Sequence, residues 1–235
     1  MSFKKLWSLF LALFLCFSLL APSLARFFTA TAPTVTIADP SDVVIIIDAG
    51  HGGIDGGTTG KSGVLEKDLN LAIAAHLASF CRLLGATVIE TRTADISLAS
   101  PDAKKGHVKQ SDLENRVALA KKYENAIFVS IHMNAFPEEK YHGLQVWYSQ
   151  NHQSSKVLAD MLQNDVREQL QNDNHRKTKA ATGSIYILRH LDCPAVLIEC
   201  GFLSNPLECA TLESEQAQKR LALVLAGALM RFKKI

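Results

Sequence analysis

Apolar residues along this chain follow two patterns in turn, and together these predict alternating strands and helices. Apolar runs without alternation, which are typical of strands covered on both faces, occur at residues 43–47, 126–131 (with one serine) and 195–198. Apolar residues at steps of three and four, which are typical of amphipathic helices, occur at 66–84 and 215–232. Shorter strands are predicted at 87–90, 144–148 and 185–188, and further helices from Ser111 or Asp112 to Tyr123 and at 152–172. This alternation predicts an α/β fold with a largely parallel sheet and helices on both faces.

The first 42 residues follow neither pattern. Two lysines precede an apolar stretch that ends in a small-residue cleavage signal, Ser23-Leu24-Ala25. This is the layout of a secretory signal peptide, so we expect residues 1–25 to be a signal peptide or an uncleaved membrane anchor, and the protein to be exported. Residues 26–42 are rich in Thr, Ala and Pro and are predicted to be a linker, which leaves one domain at 43–232.

The net charge argues against one class of partner, and the cysteine spacing argues against disulfides. The chain has 25 Lys and Arg against 23 Asp and Glu, and removing Lys4 and Lys5 with the signal leaves a formally neutral domain. It has no basic stripe interleaved with aromatic residues, which argues against nucleic acid as a partner. The four cysteines of the mature domain have spacings that predict buried free thiols rather than disulfides.

A glycine-rich loop follows the first apolar run and carries a histidine, His51. Two phosphate-binding motifs resemble parts of this loop, but both require glycine where the chain has Asp55. Both motifs also need a helix that begins directly after the glycines, and none is predicted here. Because glycine lets the backbone pass close to a bound group, His51 is predicted to face a ligand. The alternative is a glycine-rich turn with an incidental histidine.

Three apolar strands each lead into a residue that can bind a metal: His51, His132 and Glu199. Glu66 opens the helix after the first strand, although a carboxylate in a first helical turn is also favoured by the helix dipole. The carboxyl ends of parallel strands meet at one edge of a sheet, so we expect the four side chains to lie close together. Two histidines and a carboxylate with one open position form the catalytic zinc pattern, and a further carboxylate can take a proton from water. The pattern leaves open which glutamate has which role. The other six histidines are expected on the surface.

Four segments of the chain resemble the successive motifs of zinc-dependent N-acetylmuramoyl-L-alanine amidases. They are IDAGHGGIDGG at 47–57, GVLEKDLN at 63–70, SIHMNA at 130–135 and IECGFLSN at 198–205. The resemblance implies that His51, Glu66 and His132 bind one Zn²⁺ ion and that Glu199 is the catalytic carboxylate. It also implies a zinc-exopeptidase-like (phosphorylase/hydrolase-like) fold with about six strands. The one departure is Ala49, where many relatives have proline.

The same resemblance implies the reaction, which is hydrolysis of the amide bond between N-acetylmuramic acid and L-Ala of the stem peptide. Arg92, Arg116 and Asn134 are then candidates for substrate contacts. The implied partners are peptidoglycan glycan strands with their stem peptides, and the need for an activating protein is left open. Membrane contact is expected only through an uncleaved N-terminal segment.

The short segment at 135–143 leaves no room for the zinc-plugging helix of many division amidases. In this respect the chain is similar to the germination-type amidases of spore-forming bacteria, which prepare the cortex for muramic δ-lactam formation. The alternatives are a general cell-wall or cell-separation amidase, a zinc exopeptidase of the same fold, and a non-catalytic wall-binding module.

Overall fold

The computed structural model describes residues 43–234. The strands are β1 (Val44–Ala49), β2 (Thr87–Glu90), β3 (Ala126–Asn134), β4 (Gln145–Tyr148), β5 (Lys179–Ala180) and β6 (Ala195–Phe202). The helices are α1 (Glu66–Leu83), α2 (Val108–Ala120), α3 (Ser154–Gln169), α4 (Tyr186–His190), α5 (Pro206–Glu213) and α6 (Glu215–Phe232). The predicted signal or anchor at 1–25 and the linker at 26–42 lie outside the described residues. Within residues 43–234, none of the helices has the length and apolar character needed to span a bilayer.

The strands form one six-stranded sheet in the order β2-β1-β3-β6-β4-β5. Strands β2, β1, β3 and β6 run parallel to one another, whereas β4 runs antiparallel to β6 and pairs in parallel with β5. The predicted α/β fold with a largely parallel sheet between helices is confirmed. In the register of this sheet, His132 on β3 lies beside Glu199 on β6, and Gln145 on β4 lies on the other side of Glu199.

Two apolar layers explain why the apolar runs of the central strands do not alternate with polar residues. Along β3, Val129 and Ile131 face the layer formed with α1, α3 and α6, while Phe128 faces the layer formed with α2 and α4. Because side chains alternate between faces along a strand, Ser130 and His132 share the face of Phe128. The same alternation puts Glu199 on that face of β6. The α2 and α4 side of the sheet therefore changes from apolar to polar toward the carboxyl ends of its strands.

Four predictions about individual elements are corrected by the structure. Strands β3 and β6 continue past His132 and Glu199, so these residues lie within strands rather than after them. The predicted strand at 185–188 is instead the short helix α4, whose buried residues pack into the second layer, and the edge strand is β5. Helix α2 begins at Val108 rather than at Ser111 or Asp112, and these two residues lie inside its first turns. Their side chains instead accept hydrogen bonds from the backbone of Ser100 and Leu98 in the preceding loop.

Helix α5 was not predicted, although the sequence contains its start signal. The Asn205 side chain accepts hydrogen bonds from the backbone N–H groups of Leu207 and Glu208, and Pro206 occupies the first turn. An asparagine cap followed by proline is a common way to begin a helix. The cap fixes the chain directly after β6, at the end of the sheet that carries Glu199.

The four cysteines in the described part of the chain are free. Cys81, Cys200 and Cys209 are buried, and Cys193 is half-buried. Burial raises the pKa of the Cys81 thiol to about 12 and that of Cys193 to about 11. These thiols are therefore protonated near neutral pH and pack as small apolar side chains, as their spacing predicted.

Candidate metal centre

The glycine loop after β1 turns sharply to present His51. This residue has φ of 61°, and it is the one non-glycine residue with positive φ in the described part of the chain. A left-handed conformation costs a residue with a Cβ roughly 1–2 kcal/mol, so the surroundings must hold it in place. Arg116 does so by donating from Nη2 to the backbone oxygen of His51 at 2.7 Å.

The structure brings together three of the predicted side chains, His51, Glu66 and His132. Oε1 of Glu66 lies 3.1 Å from Nε2 of His51 and 3.1 Å from Nδ1 of His132. A tetrahedral zinc site with ligands at about 2.0–2.1 Å separates two ligand atoms by roughly 3.3 Å, so the donor types and the spacing of Glu66 from each imidazole match one such ion. The group is therefore one that could hold a metal ion.

Hydrogen bonds from neighbouring groups orient these side chains before any metal ion binds. Nδ1 of His51 lies 3.0 Å from Oδ2 of Asp55, so a carboxylate orients the imidazole in the way typical of metal-binding histidines. The backbone N–H of Thr58 donates to Oε2 of Glu66 at 2.9 Å, and that of Met133 donates to Oε1 at 3.1 Å. Asp55 was not predicted as a functional residue, although its place four residues after His51 in the loop was a usable signal.

The charges at this site favour a cation. Burial alone would raise the pKa of Glu66, but hydrogen bonds and charge interactions with His132 and His51 outweigh it and lower that pKa. Burial alone would lower the pKa of His51, but Glu66 and Asp55 raise it. The carboxylate of Glu66 is therefore ionised, and it pulls positive charge toward the point where the two imidazoles meet.

Glu199 stands beside this group without belonging to it. It is the register partner of His132 on the neighbouring strand, and its Oε2 is buried with no hydrogen-bond partner among the described residues. Burial, and then the negative charge of Glu66, raise the pKa of Glu199 to about 8, although His51 opposes them. A carboxyl group with a pKa near neutrality is suited to take up and return a proton.

Arg92 and Arg116 lie inside the protein, with only 3% and 1% of their surfaces exposed. Both donate to the backbone oxygen of Ala49, and Arg92 also donates from Nη2 to that of Gly50. Their burial and internal partners favour support of the His51 loop over the substrate contact expected from the sequence. Asn134 is the last residue of β3 and is half-buried, and its substrate contact stays a prediction.

A buried carboxylate beneath the loop anchors Arg116. Oδ1 of Asp48 accepts from Nη1 of Arg116 at 2.5 Å and from Oγ1 of Thr91 at 2.7 Å, and Oδ2 accepts from Oγ of Ser130 at 2.5 Å. Burial would raise the pKa of Asp48, but the Arg116 charge and these two hydroxyl groups outweigh it and lower that pKa. A second carboxylate, that of Asp112, accepts a hydrogen bond from Nε of Arg116 at 2.6 Å.

The remaining histidines are not close to this group. His107, His142 and His175 are exposed, and His76, His152 and His190 are half-buried. The segment at 135–143 contains no helix, and within residues 43–234 the candidate metal ligands form this single group.

Gly50 sets the position of the His132 ring, which leads to a testable prediction. A Cβ at Gly50 would lie 2.3 Å from Nε2 of His132, whereas a Cβ at Gly56 in the same loop would meet only Leu65 at 3.7 Å. We expect Gly50→Ala to push the ring away, to lower Zn²⁺ affinity and to cost about 1–3 kcal/mol of stability, as overpacking does. Gly56→Ala is the matched control and should bind Zn²⁺ like the wild type. Equal Zn²⁺ affinity of the two variants in titrations would contradict this role of Gly50.

Comparison with known proteins places this geometry in a family. The family model described as N-acetylmuramoyl-L-alanine amidase matches residues 45–231. The germination-specific N-acetylmuramoyl-L-alanine amidase of Bacillus subtilis (strain 168) is 37% identical over 194 residues, which cover 82% of this chain and 80% of that protein. The solved CwlD amidase from Clostridioides difficile, in complex with the GerS lipoprotein, has a TM-score of 0.77 at 38% identity and covers 80% of this chain and 97% of its own. The catalytic domain of CwlV from Bacillus(Paenibacillus) polymyxa var. colistinus has a TM-score of 0.68 at 29% identity, over 82% and 98% of the two chains.

Proposed function

Because the chain belongs to the N-acetylmuramoyl-L-alanine amidase family, we propose that it is a zinc-dependent hydrolase that cuts the amide bond between N-acetylmuramic acid and L-Ala in peptidoglycan. We assign His51, Glu66 and His132 as the residues that hold Zn²⁺, and Glu199 as the catalytic carboxylate. The observation that carries the proposal is that three metal donors lie within 4.8 Å of one another, with Oε1 of Glu66 at 3.1 Å from each imidazole, beside a carboxylate that has an unpaired buried oxygen.

In the proposed hydrolysis, each side chain of the site has a separate role. A bound Zn²⁺ ion would supply a Lewis acid that polarises the scissile carbonyl and makes water more acidic. Glu199 takes the proton of the attacking water and passes it to the nitrogen of L-Ala as that amine leaves. Its unpaired Oε2 and raised pKa suit a group that must hold this proton for part of the cycle. Asp55 keeps the His51 imidazole oriented throughout, since it bonds the ring nitrogen that faces away from Glu66.

We assign the finer biological role by similarity. The germination-specific relative in Bacillus subtilis favours a role in spore cortex maturation, with muramic δ-lactam formation, and in germination. Action on peptidoglycan requires the catalytic domain at 43–232 to work outside the cytoplasm, which is consistent with residues 1–25 as an export signal or anchor. The solved relative that is bound to a lipoprotein supports a protein partner for this chain as well.

Product analysis of a peptidoglycan digest tests the proposal. The Zn²⁺-loaded protein should release stem peptides whose new amino terminus is L-Ala, leave muramic acid residues without peptide, and stop working when a chelator removes the metal. A heat-treated sample of the same protein is the control for spontaneous hydrolysis. Cuts within the stem peptide would indicate a peptidase of the same fold, and binding without any cut would indicate a wall-binding module; either result contradicts the proposal.

A further inference from the structure

One cationic side chain, Arg176, lies on the sheet face that carries the reactive centre. His132, Glu199 and Gln145 occupy neighbouring positions on β3, β6 and β4, and register partners point to the same face. Nη1 of Arg176 lies 3.4 Å from Oε1 of Gln145, which links the guanidinium to this row. Because adjacent strands are about 4.8 Å apart, Arg176 reaches the face roughly one to two strand spacings from Glu199.

The guanidinium of Arg176 packs against two aromatic rings, those of Phe202 and Tyr141. It stacks over Phe202 with its central carbon 4.3 Å from the ring centroid, and it lies 5.9 Å from the ring of Tyr141. Nε donates to the backbone oxygen of His142 at 2.7 Å. Phe202 belongs to β6 and lies three residues after Glu199, so the ring that supports the guanidinium is on the strand that carries the proposed base. A guanidinium fixed in this way has already lost most of its freedom and binds a ligand at a lower entropic cost.

Arg176 also retains unused donors. Its Nη2 has no hydrogen-bond acceptor among the described residues, and no carboxylate of residues 43–234 forms an ion pair with it. The carboxylate whose charge acts on Arg176, that of Glu208, already accepts hydrogen bonds with its two oxygens from the backbone N–H groups of Gly143 and Phe202. By contrast, Arg82 and Arg116 pair with acidic residues. Arg176 is therefore a preoriented cation that lacks an anionic partner.

We propose that Arg176 binds a free carboxylate of the stem peptide, on the second or third residue beyond the scissile bond. An extended peptide advances about 3.3 Å per residue, so this stretch of the substrate spans the distance from Glu199 to the guanidinium. A planar guanidinium matches a carboxylate through two parallel hydrogen bonds. This inference rests on the proposed amidase function and adds to it a preference for acidic over amidated peptides.

The test compares two soluble muramoyl peptides that differ only in whether their carboxyl groups beyond L-Ala are free or converted to primary amides. The wild type should cut the free acid with a KM lower by about 10- to 100-fold, which is the range expected for a charged hydrogen bond. In Arg176→Gln, the KM for the free acid should rise to that for the amide, with little change in kcat. Arg176→Lys keeps the charge but not the planar fork, so its preference should fall to an intermediate value.

The preference is scored as the ratio of kcat/KM for the two substrates within one protein sample, so it does not depend on the fraction of folded enzyme. Arg220, which is exposed on α6 in the other layer, supplies the matched control Arg220→Gln, whose ratio should equal that of the wild type. A wild-type ratio in either Arg176 variant, or equal slowing of both substrates, would overturn the proposal. A wild type that releases L-Ala-terminated peptide from neither substrate would instead overturn the amidase function itself.

Discussion

Glu199→Gln is expected to leave Zn²⁺ bound while turnover falls by about 10²- to 10⁴-fold, which corresponds to roughly 3–5 kcal/mol of activation free energy. Glutamine keeps the size of the side chain and an oxygen acceptor, but it cannot take a proton from water. Glu199 lies outside the group of three converging donors, so its loss leaves the proposed ligands in place. Metal content by atomic spectroscopy and single-turnover cleavage of peptidoglycan fragments measure the two quantities side by side.

The ligand variants provide the comparison for this result. Glu66→Ala removes the oxygen that lies 3.1 Å from both imidazoles, so it should lower zinc occupancy itself, as should His51→Ala and His132→Ala. If Glu199→Gln lost its zinc while Glu66→Ala kept it, the roles of the two glutamates would be exchanged. If Glu199→Gln stayed fully active, the proposed mechanism would be wrong.

Arg116→Met is expected to lower the free energy of unfolding by about 3–5 kcal/mol, the range for breaking a buried ion pair by removing one partner. It leaves Asp48 buried without its cation, and it removes the hydrogen bonds to the backbone oxygens of Ala49 and His51. Methionine fills much of the same volume, so the loss reflects charge and hydrogen bonding more than a cavity. Urea denaturation at neutral pH, monitored by far-UV circular dichroism, measures the change.

Two further variants separate the buried pair from a general effect of losing an arginine. Arg82→Met breaks the more exposed pair with Glu90 and should cost at most about 1 kcal/mol. The double variant Asp48→Asn/Arg116→Met removes both charges and should be more stable than Arg116→Met alone. If Arg82→Met and Arg116→Met lowered the free energy of unfolding equally, the buried pair would contribute no more to stability than the exposed pair.

The pH dependence of stability provides an independent check on Asp48. Its pKa is lowered in the folded protein, so its contribution is fully present above the unfolded-state value of about 3.9 and is lost as the pH falls through the folded-state value. In Asp48→Asn this part of the acid dependence should disappear. An unchanged acid transition in the variant would contradict the assignment.

The sequence was sufficient to predict the sheet and most of the helices, because the strongest patterns belong to elements buried on both faces. The run Ala126–Ile131 contributes to both apolar layers, and the spacing of apolar residues in 215–232 matches helix α6 to the residue. The elements that were wrong are short. Tyr186–His190 has too few residues for the helical and strand periods to differ, and tertiary packing decided its conformation.

The site was predictable to the extent that it depends on strand ends. His51, His132 and Glu199 were found because parallel strands bring their carboxyl ends to one edge. Burial of Arg116 was not predictable, since it follows from a partner 68 positions away, Asp48, whose position is set only by the register of the sheet. Arg176 was missed for the same reason, because the rings it covers come from other parts of the chain.

The distribution of the reactive groups along the chain has a consequence for the order in which the enzyme becomes active. The three proposed metal ligands all precede residue 134, in the loop after β1, on α1 and on β3, whereas the proposed general base lies on β6, which pairs between β3 and β4. A chain emerging amino terminus first can thus assemble its metal ligands before its base. Until β6 is in place, the chain lacks the carboxylate that we assign as the general base, so we expect no hydrolysis from a chain that ends before this strand.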